Sequence, residues 1–99
     1  EAIVLPELGN TGKKNRMDVF PNPFQQGFIL RTYSVEEGDA RIRLLSTSGQ
    51  LIQMRKTWFD KAENRTSFSP NLPEGMYLIQ VQFPDGEMQN QSIVRIQAQ

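Results

Sequence analysis

The sequence predicts an all-β fold, an antiparallel Ig-like β-sandwich of about seven short strands. Three observations carry this reading. Apolar residues recur with period two in short segments from Phe28 onward. Polar groups containing glycine or proline separate those segments at close spacing. No segment of useful length has the 3.6-residue apolar period of a helix. At 99 residues the chain has the length of one small domain with one modest core.

Taken in order, residues 1–16 mix Gly9, Gly12, Asn10 and Asn15 with the pair Lys13-Lys14 and have no periodicity beyond Ile3-Val4-Leu5, which reads as a linker. "VFPNPFQQGF" follows, with Pro21 and Pro23 flanking Asn22. Proline fixes φ and donates no backbone hydrogen bond, so this stretch is a corner or an edge. "FILRTY" sets Phe28, Leu30 and Thr32 on one face, and "ARIRLL" turns Ile42 and Leu44 inward with Arg41 and Arg43 outward. Ser48-Gly49 supplies a tight hairpin, so "QLIQMRKTW" returns antiparallel to its predecessor. "DKAENR" is polar and crosses between layers, and "TSFSP" is short with Phe68 as its inward anchor. In "NLPEGMYLIQVQF" the inward set is Tyr77, Ile79, Val81 and Phe83. "PDGE" turns the chain back. The final strand "QSIVRIQ" alternates Val94 and Ile96 with Ile93, Arg95 and Gln97, which leaves Arg95 as an exposed charge.

Composition excludes several function classes. Eleven basic and eleven acidic residues cancel, so the chain lacks the charge footprint of a nucleic-acid binder or peripheral membrane protein. No apolar run reaches the ~20 residues of a membrane span, and "EAIVLPELGNTGKKN" lacks a basic region followed by a long apolar one, so if the protein leaves the cytoplasm its address is expected elsewhere. The absence of cysteine removes disulfides, thiolate nucleophiles and common zinc sites, and the absence of histidine removes the usual general base. The expectation is a non-enzyme without metal or cofactor. The acidic pair Glu36-Glu37 lies in a turn and reads as a solvated loop rather than a catalytic dyad. Trp58-Phe59 offers an aromatic platform, but neighbours on a strand face opposite ways, so one ring is expected to be buried. "NRT" at Asn64 and "NQS" at Asn90 match the glycosylation pattern, which arises readily by chance in a polar chain, and Arg41 and Arg43 read first as a solvated face.

The order of four moderate signals says more than any one. "VFPNPF", "LSTSGQLI", "LPEGMYLIQV" and "SIVRIQ" follow one another from residue 19 to residue 97. Together they resemble the type A C-terminal sorting domain of proteins exported by the type IX secretion system of Bacteroidetes. Pro21, Asn22 and Pro23 match the first motif, with Phe20 in place of the usual tyrosine. Gly49 matches the hairpin glycine, with Gln50 where lysine is frequent. Leu72, Gly75, Tyr77 and Leu78 match the third motif. Val94, Arg95 and Ile96 stand at the terminal strand, with Arg95 in the place of its basic residue, and Gln97-Ala98-Gln99 extend beyond the usual basic finish.

The resemblance implies a tether over residues 1–18 and a sorting domain over residues 19–99. It implies that cargo precedes the domain, that the periplasmic protein is passed by shuttle components to the outer-membrane type IX translocon, and that a sortase-like cysteine protease cuts the tether as cargo reaches the cell surface. The domain is then substrate, with no nucleic acid or metal as partner. Other readings of the same residues are an Ig-like or fibronectin-like spacer of an extracellular bacterial protein, a sugar-binding module using Trp58 or Tyr33, and an uncleaved docking domain of a secretion component.

Overall fold

The computed structural model describes residues 14–97. Seven strands are formed: β1 (Arg16–Phe20), β2 (Phe28–Ser34), β3 (Gly38–Ser46), β4 (Leu51–Phe59), β5 (Ala62–Phe68), β6 (Gly75–Gln82) and β7 (Met88–Arg95). Among the described residues there is no helix. The strands make two antiparallel sheets, β1-β2-β5 and β4-β3-β6-β7, the layout of an Ig-like sandwich.

Alternation decides which side chains fill the space between the sheets. Phe28, Leu30 and Thr32 of β2 face Ile42 and Leu44 of β3 and Tyr77, Ile79 and Val81 of β6, all buried. Phe59 and Phe83 meet edge to face, with ring centroids 5.9 Å apart. Phe24, which the sequence pattern does not assign to the core, is fully buried and packs edge-on against Phe28 at 5.0 Å. Phe28 in turn stacks on Phe68 at 5.1 Å. Aromatic pairs at these separations add roughly 0.5–1.5 kcal/mol each beyond area burial.

Two parts of the polar sequence are strand. "AENR" begins β5, which pairs with β2 from Ser34↔Ala62 to Phe28↔Phe68, so the crossing between sheets is confined to Asp60-Lys61. The corner is held by Asn64, whose Oδ1 accepts from the Asp60 N–H at 2.9 Å and whose Nδ2 donates to the Asp60 carbonyl at 3.0 Å. β1 takes in Arg16, Met17 and Asp18, which the sequence assigned to the tether, and Asn15 is buried ahead of it. Residues 1–13 of that tether lie outside the described residues.

β7 corrects one face assignment. Ile93 is fully buried, opposite Tyr77, while Val94 lies on the outer face opposite Met76. Arg95 therefore shares the parity of Ile93, and it is half-buried rather than freely exposed.

Candidate functional site

Antiparallel topology sorts the four motifs to one end of the sandwich. The end of β1, the start of β2, the β3–β4 turn, the start of β6 and the end of β7 all lie there, as the registers Phe20↔Ile29, Ser46↔Tyr77 and Gly75↔Arg95 require. The beginning of β1 lies at the opposite end, where Arg16 pairs with Tyr33.

At the motif end, the Pro-Asn-Pro corner docks on the outer edge of β7. The Asn22 side chain behaves like one residue of an added strand: its Nδ2 donates to the Ser92 carbonyl at 3.0 Å, and its Oδ1 accepts from the Val94 N–H at 3.0 Å. Two residues on, backbone continues the pairing. The Phe24 N–H donates to the Val94 carbonyl at 2.9 Å, and the Ile96 N–H donates to the Phe24 carbonyl at 2.9 Å. These bonds give a parallel bridge between Phe24 and Arg95. Pro21 and Pro23 have no N–H to offer β7, and the Asn22 side chain supplies a donor and an acceptor there. Pro21 and Pro23 are exposed and, with Gln25, Gln26, Gly27 and Ile96, line an open cleft of about 520 Å³.

The other motifs abut this clamp. Gly75 opens β6 opposite Arg95 with φ of +153°, a value that L side chains rarely adopt. Tyr77 is buried, and its hydroxyl donates to the Pro73 carbonyl at 2.6 Å, the tyrosine corner of Ig-like sandwiches. Leu72 packs against the core, and Leu78 is half-buried on the outer face beside Leu45. At the hairpin Gly49 has φ of +91°, and its N–H donates to the Ser46 carbonyl at 2.9 Å. The Ser46 N–H is bonded to the Gln50 carbonyl at 2.9 Å. Asn22, Phe24, Gly75 and Tyr77 thus meet around the last residues of β7, and Gly49 joins them through Ser46↔Tyr77.

The opposite end is organised by Asn15, which falls in the segment the sequence predicts as linker. Asn15 Nδ2 donates to the carboxylates of Asp85 and Glu87, at 3.0 and 2.7 Å. Its Oδ1 accepts from the Val35 N–H at 2.9 Å, and its carbonyl accepts from Gln89 at 2.7 Å. Asn15 ties the incoming chain to both sheets.

The remaining candidates fall apart spatially. Glu36 and Glu37 are exposed in the β2–β3 loop. Phe59 is buried and Trp58 exposed, as strand alternation required. Tyr33 lies on β2, in the other sheet from Trp58, so the two do not form one aromatic platform. Asn64 uses its amide on the corner described above, while Asn90 is exposed on β7. The clamps at exposed Asn22 and buried Asn15 are not foreseeable as contacts, because partners of each lie about seventy residues away.

Comparison with known proteins agrees with this architecture. No curated protein matches the sequence. Among solved structures, the fold is similar to part of dimeric latent PorU from Porphyromonas gingivalis, with a TM-score of 0.63 and 12% identity. The likeness covers 96% of this chain but 10% of that one, so this chain spans a small part of that protein's length. Residues 18–95 match the family described as secretion system C-terminal sorting domain. That span runs from the middle of β1 to Arg95 and takes in the first three motifs and the fourth as far as Arg95, and the chain belongs to this family of type IX secretion sorting signals.

Proposed function

We propose that this domain is the address of a cargo joined to its amino-terminal side. In this reading shuttle and translocon components of the type IX system read it after it reaches the periplasm, and a sortase-like cysteine protease cuts the tether as the cargo arrives at the cell surface. The observation that carries the proposal is the separation of the two ends. Chain coming from the cargo is clamped by Asn15 at one end, and the four motifs gather at the other. A partner gripping the motif end leaves the tether free for a second protein.

The same arrangement narrows the cut. Backbone must be extended and unpaired to enter a protease cleft. A bond within β1 would have to leave its pairing with β2, and a bond beside Asn15 would break that residue's contacts with Asp85, Glu87, Val35 and Gln89. The proposed cut therefore lies on the cargo side of Asn15. The mass of cargo recovered from the cell surface tests this. A carboxyl end before residue 14 is the expected result, and cargo that retains β1 contradicts the cleavage reading.

A further inference from the structure

The outer faces of the two sheets differ in a way that core packing does not explain. Among the described residues, the six large apolar side chains that stand well exposed all belong to the four-stranded sheet: Leu51, Ile52, Met54 and Trp58 on β4, Met76 on β6 and Met88 on β7. Charges follow the same division. In the three-stranded sheet Arg31 pairs with Asp18 and Arg65 with Glu63. On the outer face of the other, Arg41 and Lys56 are cross-strand neighbours of like sign, and neither forms an ion pair among the described residues.

Sheet edges sharpen the contrast. The outer edge of β7 is occupied by Asn22 and Phe24, with the Asn15 carbonyl held by Gln89 further along. At the β5 edge, Arg55 reaches across from β4 to the Ser67 carbonyl at 2.9 Å and lies over the Phe68 ring at 4.2 Å. Among the described residues β4 pairs only with β3, and no strand of theirs covers its other side along nine residues. Met54 is 43% exposed and Trp58 57% exposed on either side of Lys56.

We propose that the open edge of β4 receives an extended, acidic segment of a protein partner, which adds a strand to the four-stranded sheet and covers Met54 and Trp58. The proposal deepens the sorting reading by giving the chemistry of the partner, and it rests on that reading. Strand addition satisfies the unpaired backbone of an edge and takes its specificity from alternate side chains. Here the alternate row is apolar, cationic, apolar. β4 contains Arg55 and Lys56 and no acid, so a second copy pairing along the same edge would set like charges against each other. Lysine on an edge strand is a common guard against self-association, and the same charge admits an acidic strand.

The test uses a reporter carrying residues 1–99 at its carboxyl end in a bacterium with the type IX system. Lys56→Glu should lower the surface fraction about tenfold, with reporter held in the periplasm, and Lys56→Gln should lower it less. Arg65→Glu, at an exposed basic residue of β5 in the other sheet, should export like the parent. Denaturation midpoints of the purified domains identify any variant that fails by unfolding, and Lys56→Gln, which adds no repulsion, then decides. Parent-level export of both Lys56 variants overturns the proposal, as does a dimer of the 1–99 chain dispersed by Met54→Asp. A parent fusion that never reaches the surface fails the sorting reading itself, which separates the two failures.

Discussion

Replacing Asn22 with alanine removes the side chain that joins the Pro-Asn-Pro corner to β7. Two hydrogen bonds are lost, the one to the Ser92 carbonyl and the one from the Val94 N–H, each 3.0 Å long. A typical net contribution is about 0.5–1.5 kcal/mol per bond. Asn22 is solvent-exposed, so water replaces part of what is lost, and the sum falls to about 1–2 kcal/mol. For a domain of this size each kcal/mol moves Tm by about 4–8 °C, so the expected drop is about 5–15 °C. Thermal denaturation followed by circular dichroism reads the shift, with Gln25→Ala as the exposed neighbouring control. Amide exchange adds a local readout, since the Val94 N–H should lose protection while Ile79, deep in the core, loses only what global stability loses. A Tm and a Val94 protection equal to the parent's would refute the clamp and make Asn22 a surface residue whose importance lies only in recognition.

Three more substitutions probe separate links. Gly49→Val should cost roughly 1–3 kcal/mol, because φ of +91° is strongly unfavourable for a β-branched residue, and an unchanged urea midpoint would show that the turn does not require it. Thr32→Val should stabilise by about 1 kcal/mol in chemical denaturation, because the buried Thr32 hydroxyl has no partner among the described residues; a destabilised variant would mean that the hydroxyl is satisfied. Arg95→Gln is expected to leave reporter trapped in the periplasm while shifting stability by about 1 kcal/mol or less. Normal surface export of that variant would leave Arg95 with a structural role only.

Most strands were legible because one face of each is buried and the other is not. β3 and β6 carry apolar alternation along their buried rows, β2 begins the same way with Phe28 and Leu30 before Thr32 and Ser34, and Gly49 and the "PDGE" turn mark the returns. β5 was legible only at Phe68. It sits at an edge where Asn64 and Thr66 are half-buried, so hydrogen bonding to β2 forms the strand without a hydrophobic pattern to announce it. β7 has aliphatic residues of both parities, and the register with Tyr77 is what turns Ile93 inward. The motifs could be named from sequence, but their meeting around β7 depends on pairings between residues far apart in the chain. Asn15 was hidden for the same reason, a polar residue among polar neighbours whose partners come from β7, the β6–β7 turn and the end of β2.

The central claim is that this fold is a transferable address read by the type IX system. Residues 1–99 fused behind a periplasmic reporter test it most directly, with surface-exposed reporter measured in a strain that has the translocon and in one that lacks it. The expected result is surface reporter in the first strain and periplasmic reporter in the second. Equal surface display in both strains, or periplasmic retention in both, would contradict the account.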